Sequence, residues 1–231
     1  MTMRYVIKFK KEGYVIFTSH LDLLRSFKRG FRKANIEISY SNGFNPHPKM
    51  GFAQPLSLGY SSTSEYIEFE TSREYDTENI LSDLKDKMPL GIDLLWCKPM
   101  PERIKSLSAD TYGATYIVYF KSPVDLKELA AILKNYLSQD EIMALKRMKK
   151  TGKKEAVDIK GKIRSIEILD CDEASEDSKE YARLKLCLDC GSASNCSPEL
   201  VIESLLSENK IISDASDVAI QRTELLFENF T

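Results

Sequence analysis

The hydrophobic pattern of this chain switches repeatedly between the two-residue period of a β-strand and the longer period of a helix. Near the N-terminus, Tyr5, Ile7 and Phe9 share one face of a strand predicted over Arg4–Lys10. Further strands are predicted over Tyr14–Phe17, Ile36–Tyr40, Phe52–Leu58, Glu65–Glu70, Ile92–Cys97, Tyr112–Phe120, Ile142–Met148, Glu155–Ile159, Ile163–Leu169, Ala182–Leu188 and Val218–Phe227.

Four segments have the spacing of amphipathic helices. The first begins after Ser19, whose hydroxyl fits a capping box with Asp22. Its predicted core-facing residues are Leu21, Leu24, Phe27, Phe31 and Ala34. The other three helices are predicted over Thr77–Met88, from Pro123 to about Leu137, and over Ser197–Ser207.

Strands and helices follow one another in a similar order in the two halves of the chain. The simplest packing that buries their apolar faces is an α+β fold of two ferredoxin-like (βαββαβ) units, each with an antiparallel sheet covered by helices. We expect the first unit over residues 1–100 and the second over residues 111–231, joined by Pro99–Asp110.

Composition and charge narrow the class of protein. The 231 residues carry a net charge of −2, yet residues 1–60 carry +7 and residues 141–164 carry +6. No apolar run approaches the roughly 18 residues of a membrane span. The strand pattern at the N-terminus predicts no signal peptide, and the odd number of cysteines, five, favours a reducing, cytoplasmic location.

Two basic segments are candidates for nucleic-acid binding. On the first predicted helix, cations occupy the face opposite the core; they are Arg25, Lys28, Arg29, Arg32 and Lys33. A predicted hairpin carries the second group, which consists of Lys149, Lys150, Lys153 and Lys154. Several long cationic side chains together predict salt-dependent binding of a polyanion. The alternative for each segment is an ordinary solvated surface.

The loop that follows the first helix is rich in glycine, proline and amide side chains. Its candidate ligand-binding residues are Asn42, Phe44, Asn45, His47 and Lys49. Phe44 offers a face for stacking a base, and the amide and imidazole groups can form hydrogen bonds. The alternative is a braced turn, with Phe44 in the core and His47 bonded to a backbone carbonyl.

The chain has two histidines, and His47 could act as an acid or a base, with Asp22 or His20 assisting. However, the GxSxG, HExxH, GxGxxG and P-loop motifs are absent. The residues therefore do not specify a reaction, and we predict no catalytic residue beyond these candidates.

Three cysteines, Cys187, Cys190 and Cys196, have a spacing that superficially fits zinc or an iron–sulfur cluster. Cys171 or Asp189 could serve as a fourth ligand, but neither is an obvious one. Free thiols are the simpler interpretation. We predict neither a metal nor another cofactor.

Several segments resemble the radical-SAM-linked proteins, a bacterial family built on a domain of unknown function. The most specific is Tyr40–Lys49 (YSNGFNPHPK), and it is accompanied by Phe17–Asp22 (FTSHLD), Phe52–Leu56 and Lys153–Ile159 (KKEAVDI). Members of that family occur beside, or fused to, a radical S-adenosylmethionine (SAM) protein, and their genes often neighbour those for a ribonuclease and ribosomal proteins. The resemblance implies a radical SAM partner and an RNA or ribosome context, without an established activity.

These observations lead to three hypotheses. The first is a non-catalytic accessory module that binds RNA or a ribonucleoprotein and presents it to a radical SAM partner. The second is an RNA-processing or RNA-modifying enzyme with His47 as acid or base. The third is a protein–protein adaptor whose loop docks the partner enzyme.

Overall fold

The structure is a computed structural model that describes residues 2–121, 124–148, 152–169, 182–207 and 217–230. Its strands are β1 (Met3–Lys11), β2 (Met50–Phe52), β3 (Ser61–Thr71), β4 (Ile92–Pro99), β5 (Thr111–Phe120), β6 (Met143–Arg147), β7 (Lys154–Asp158), β8 (Ile163–Leu169), β9 (Arg183–Asp189) and β10 (Val218–Phe227). Its helices are α1 (His20–Lys33), α2 (Thr77–Lys85), α3 (Leu107–Asp110), α4 (Leu126–Ser138) and α5 (Pro198–Ser207). No helix in these ranges is long and apolar enough to cross a membrane.

The chain divides into two compact units. The first contains Met1–Tyr112 together with Arg222–Thr231, and the second contains Gly113–Gln221. The chain therefore passes from one unit to the other within β5 and returns within β10. The expected division assigned all of residues 111–231 to the second unit, whereas in the structure the last ten residues belong with the first.

In the first unit, β1 is paired on both sides. It runs antiparallel to β3 and to β4, and β2 pairs antiparallel with β3. The strand alternates as predicted, because Tyr5, Ile7 and Phe9 are all buried on one face. On that face the ring of Phe9 lies 5.0 Å from that of Phe27 in α1. The predicted α+β class with mostly antiparallel strands is thus confirmed.

Helix α1 turns most of the expected stripe toward the core, with Leu23 in place of Leu21. Leu21 is 61% exposed, while Leu23, Phe27 and Phe31 are buried, so the assignment of Leu21 to the core was wrong. The first turn offers several leucines, and local spacing does not decide which of them face the sheet. The buried face also contains Gly30, where an added Cβ would lie 3.0 Å from the Leu84 side chain. Helices α1 and α2 therefore pack closely at this glycine.

The segment Gly13–Phe17 forms a 3₁₀ helix, so the strand predicted over Tyr14–Phe17 was wrong. Within it Val15 is buried, while Tyr14 and Phe17 are largely exposed. The amide of Thr18 donates to the carbonyl of Val15 and closes the turn. A short apolar run has no period long enough to distinguish a strand from a helical turn.

The strands predicted on either side of the loop are much shorter than expected. Over Ile36–Tyr40 only two isolated bridges form, between Ile38 and Thr71 and between Tyr40 and Pro48. The strand predicted over Phe52–Leu58 is limited to the three residues of β2. Prolines at 48 and 55 remove amide donors that a longer ladder would need.

The C-terminal segment is held in the first unit by a buried carboxylate. Asp110 accepts hydrogen bonds from the amides of Asn229, at 3.1 Å, and Phe230, at 2.8 Å, and from the Asn229 side chain, at 2.7 Å. The Phe230 ring then packs 6.2 Å from the rings of both Tyr66 and Trp96. These contacts explain why the last residues group with the first unit.

In the second unit, β9 runs antiparallel to both β5 and β8. Its inward residues Leu184, Leu186 and Leu188 are buried, as the alternation predicted. Strands β6 and β7 form a separate two-stranded hairpin, again as predicted. Asp125 caps α4, whose expected first residue, Pro123, lies outside the described residues.

We expect Gly91→Ala to lower the free energy of unfolding by more than about 2 kcal/mol. Gly91 has a φ of +90°, and an added Cβ would lie 2.2 Å from the Glu12 carbonyl oxygen, so the backbone must move. Gly13→Ala is the matched control, since Gly13 has a φ of +67° with open space around it. Urea unfolding measures the free energies. Equal losses of unfolding free energy for the two variants would contradict the close approach of Gly91 to the Glu12 carbonyl.

Candidate nucleic-acid interface

The N-terminus of α1 is capped as the sequence predicted. The Ser19 hydroxyl accepts a hydrogen bond from the Asp22 amide at 3.2 Å and donates one to the Asp22 carboxylate at 2.7 Å. The same carboxylate pairs with Arg25 at 2.7 Å. The hydroxyl and the guanidinium both stabilise the ionised carboxylate and lower the pKa of Asp22. Asp22 is thus engaged in holding the helix start and one cation of its exposed face.

A buried lysine also anchors the turn that leads into α1. Lys11 is 2% exposed, and its ammonium donates hydrogen bonds to the carbonyls of Ile16 and Thr18, both at 3.2 Å. Burial lowers the pKa of Lys11. Because Lys11 is the last residue of β1, its hydrogen bonds connect this strand to the turn and help to fix the first turn of α1.

The C-terminus of α1 ends in a Schellman motif that turns the chain back along the helix. Asn35 has a φ of +55°, which asparagine tolerates better than most residues. The amide of Ile36 donates to the Phe31 carbonyl at 3.0 Å, and that of Asn35 donates to the Arg32 carbonyl at 3.3 Å. Ile36 is buried in consequence, and the next residues form one wall of a groove beside α1.

The cations of α1 lie on its exposed face, as predicted, and most of them lack an acidic partner. Arg25 pairs with Asp22, whereas Arg29 donates a 3.3 Å hydrogen bond to the Ser26 hydroxyl. Across the described part of the chain, no carboxylate lies within 4.0 Å of Lys28, Arg29 or Arg32. Their positive charge is therefore directed mainly to solvent.

The groove between α1 and the returning chain has a volume of about 630 Å³. Its basic side is lined by Lys28, Arg29 and Arg32, and its floor and opposite wall consist of Phe31, Asn35, Ile36, Glu37, Ile38, Tyr40, Pro48 and Ser72. The Lys28 ammonium lies 5.7 Å from the centroid of the Tyr40 ring. The tertiary structure thus brings the ends of the candidate loop against the basic face of α1.

The loop itself is closed at its base and exposed at its tip. On the tip side of the Tyr40–Pro48 bridge, the Ser41 amide donates to the His47 carbonyl at 2.8 Å. The His47 amide donates to the Ser41 hydroxyl at 3.0 Å. Phe44 is fully exposed, so the alternative that buries it in the core is excluded. Its neighbours Asn42, Asn45 and His47 are exposed as well.

The remaining candidates of this region have structural contacts. The Lys49 ammonium pairs with the Glu70 carboxylate at 2.7 Å and lines a second, smaller depression. The His20 ring packs edge-on against Phe52, with a centroid distance of 5.1 Å. The structure therefore gives Lys49 and His20 packing or pairing roles in the first unit.

The second basic segment belongs to the second unit. Lys154 begins β7 and stands opposite Arg147 of β6, and both side chains are exposed. The amide of Met148 donates to the Lys153 carbonyl at 2.8 Å next to the turn. Lys149 and Lys150 lie outside the described residues.

Among the described residues of the second unit, Cys187, Cys190 and Cys196 are free thiols. Cys190 and Cys196 are buried, and burial raises the pKa of Cys196 to about 11. The Cys190 sulfur accepts weak hydrogen bonds from the Tyr116 hydroxyl and from the side-chain amide of Asn195. In the parts of the chain that the structure describes, no three His, Cys, Asp or Glu side chains are grouped to hold a metal.

Sequence reasoning missed Tyr40 as a site residue. Its side chain is 48% exposed and lies beside Lys28, although the two residues belong to different elements. The pattern at Ile36–Tyr40 predicts a strand and gives no sign of a groove. The signal that could have identified the groove is the Asn35 helix stop, which predicts that the chain folds back along α1.

Comparison with known proteins supports the fold and places the chain in a family. A crystal structure of a Cbf5-Nop10-Gar1 complex contains a chain that superposes with a TM-score of 0.53 at 11% sequence identity. The match covers 97% of this chain and 50% of that chain, so this chain spans about half the length of its structural neighbour. No curated protein matches the sequence. The family model of the uncharacterized proteins conserved in bacteria (DUF2344) matches residues 4–198, and the chain therefore belongs to this bacterial family.

Proposed function

We propose that this chain is a non-catalytic accessory module that binds RNA or a ribonucleoprotein and presents it to a radical SAM partner. The observation that carries the proposal is the position of the candidate loop, whose two ends, Tyr40 and Pro48, line the same groove as three cations of α1. RNA combines a phosphate backbone with planar bases, and this surface offers a partner for each.

The cations supply the sequence-independent part of the binding. Lys28, Arg29 and Arg32 have no acidic partner within 4.0 Å among the described residues, so an incoming phosphate does not have to displace one. Arg25 also contributes, although it must share its charge with Asp22. Such contacts release counterions and make the affinity fall as salt rises.

The loop tip supplies recognition of a specific feature. Phe44 presents a fully exposed ring, and an unpaired base can stack on it. Asn42, Asn45 and His47 are exposed around it and can form hydrogen bonds with base edges or with the 2′-hydroxyl.

Two further observations support the proposed partner and location. The radical SAM enzyme is inferred from the resemblance of the FTSHLD and YSNGFNPHPK segments, and the cytoplasm from the free thiols. We further propose that Lys149, Lys150, Lys153 and Lys154 provide a second phosphate contact on the β6–β7 hairpin. Lys49 would assist at the loop through its ammonium group, shared with Glu70.

The first test is binding of single-stranded RNA by the whole protein across a salt series. We expect affinity to fall steeply with salt and Phe44→Ala to weaken binding roughly 5- to 100-fold. The control is Tyr14→Ala, because Tyr14 is another almost fully exposed aromatic residue of the first unit but lies outside the loop. Fluorescence anisotropy with labelled tRNA and rRNA fragments measures both effects. Negligible binding at low salt would refute the proposal.

A protein–protein adaptor is the second candidate function. Three apolar side chains that are each more than half exposed favour it. Phe17 and Leu21 lie near the start of α1, and Leu58 lies in the segment after β2. The adaptor predicts a stable complex with the radical SAM partner and no salt-sensitive RNA binding. The same salt series therefore distinguishes the two functions.

We also propose that both units are ferredoxin-like. In the first unit the element order β1-α1-β2-β3-α2-β4 and the sheet order β4-β1-β3-β2 support this proposal. In the second unit, β9 lies between β5 and β8, and the β6–β7 hairpin would be an insertion after α4.

A further inference from the structure

We infer that the groove beside α1 is a binding site for one unpaired nucleotide of a single strand, with its phosphate at Lys28, Arg29 and Arg32 and its base stacked on Tyr40. This inference rests on the proposed RNA-binding function and assigns the ligand class of a subsite distinct from the loop tip. Four features of the groove carry it, namely its size, its charge, its aromatic wall and its relation to Phe44.

The groove has the size and composition of a small-ligand site. Its volume of about 630 Å³ falls within the roughly 300–1,000 Å³ of typical ligand pockets. Phe31 and Ile36, both buried, form an apolar floor, and Ile38 and Pro48 extend it toward the loop. The carbon atoms of a ribose can cover such a floor while its hydroxyls stay in contact with water.

The charge of the groove favours an anion. Three cations line the α1 side, while Glu37 is the one carboxylate among the described residues that line the groove. Glu37 is itself partly neutralised, because it pairs with Arg73 at 3.9 Å and accepts a hydrogen bond from the Ser72 hydroxyl at 3.0 Å. Arg29 and Arg32 can contact a phosphate through their guanidinium groups, which match its geometry.

The lining of the groove also includes an aromatic face. Tyr40 is held at its backbone by the bridge to Pro48, and about half of its side chain remains exposed. Lys28 now covers the ring at 5.7 Å. A base can take the place of the ammonium on the ring, and the released Lys28 can then turn to the phosphate, so one ligand satisfies both residues.

The aromatic ring decides between a nucleotide and an acidic peptide. Three cations alone would accept either ligand, but a stacking surface next to them matches a phosphate with an attached base. Tyr40 also lies four residues before Phe44 on the same segment, so successive bases of one strand have two rings on which to stack. We therefore expect single strands to bind better than duplexes of the same sequence.

The test is anisotropy titration of the whole protein with a labelled single-stranded RNA hexamer. Tyr40→Ala is expected to lower affinity roughly 5- to 100-fold, and Tyr40→Phe, which keeps the ring, to stay within about twofold. A duplex of the same sequence and poly-glutamate of equal charge serve as competitors. Circular dichroism and urea unfolding of Tyr40→Ala check that the protein remains folded.

The outcomes separate this inference from the proposed function. If Tyr40→Ala binds the hexamer as tightly as the parent protein while Phe44→Ala does not, the RNA-binding function stands and the groove site is overturned. If poly-glutamate displaces the hexamer at equal charge, the groove is a general anion or peptide site and the inference is overturned. If the parent protein binds no RNA at all, both the function and the subsite fail.

Discussion

Arg222→Met is expected to lower the free energy of unfolding by about 3–5 kcal/mol, because it removes one partner of a buried ion pair. The Arg222 guanidinium is 1% exposed and forms hydrogen bonds of 2.8 Å and 2.5 Å with the two carboxylate oxygens of Glu65. It also donates to the carbonyls of Gln54 and Pro55 at 3.1 Å and 3.2 Å. Each of these acceptors would lose its partner.

The loss is large because Glu65 would remain buried. Glu65 is only 3% exposed. Without the guanidinium, its ionised carboxylate would still be desolvated but would lose most of the attraction that offsets this cost. Lys11, also buried, offers only a partial replacement, since its ammonium is committed to the carbonyls of Ile16 and Thr18. The segment after β2 would in addition lose its anchor to β10.

Two further variants make this prediction specific. Arg73→Met removes an exposed ion pair with Glu37, and we expect it to cost less than about 1 kcal/mol. The double variant Arg222→Met with Glu65→Met replaces the whole pair by apolar side chains and should recover much of the loss. Chemical denaturation provides the free energies. Equal losses for Arg222→Met and Arg73→Met would show that the buried pair does not stabilise the first unit.

The charge-reversal variant Lys28→Glu with Arg32→Glu is expected to reduce RNA affinity at least about 100-fold at low salt, since each charged contact contributes roughly 1.5–3 kcal/mol. The logarithm of affinity should also depend less steeply on salt, by about 0.7 for each lost phosphate contact with a single strand. Both residues line the groove, and neither has an acidic partner within 4.0 Å among the residues described. Anisotropy titrations at several salt concentrations measure the affinity and its slope.

The matched control is Lys85→Glu with Lys87→Glu, which changes the net charge by the same amount. Lys85 ends α2, Lys87 follows it, and both are exposed residues outside the groove lining. We expect this control to change affinity only slightly, through long-range attraction that salt screens. Similar losses for the two pairs of substitutions would mean that net charge, and not the groove, governs RNA binding.

Much of the fold is predictable from the sequence because it depends on short-range rules. The alternation of Tyr5, Ile7 and Phe9 predicted β1 and its buried face, and the hairpin of β6 and β7 followed from its turn. The capping box of Ser19 and Asp22 predicted the start of α1. In each case the residues that decide the structure lie within a few positions of one another.

Predictions were wrong where local patterns are ambiguous. Four apolar residues in a row allow either a strand or a helical turn, and the strand predicted over Tyr14–Phe17 is a 3₁₀ helix in the structure. The choice between Leu21 and Leu23 as the core residue depends on the packing of α1 on the sheet. Local spacing is compatible with both.

The sequence by itself determined the α+β class, most of the elements, the basic face of α1 and the candidate loop. Only the tertiary structure decided that the Lys28 ammonium lies over the Tyr40 ring, and that Arg222 pairs with Glu65 across 157 positions of the chain. Such pairs form when distant segments pack, and their residue types carry no local signal of the partner. The burial that makes Arg222 important for stability, and the groove that makes Tyr40 a candidate for stacking, therefore arise only in the folded chain.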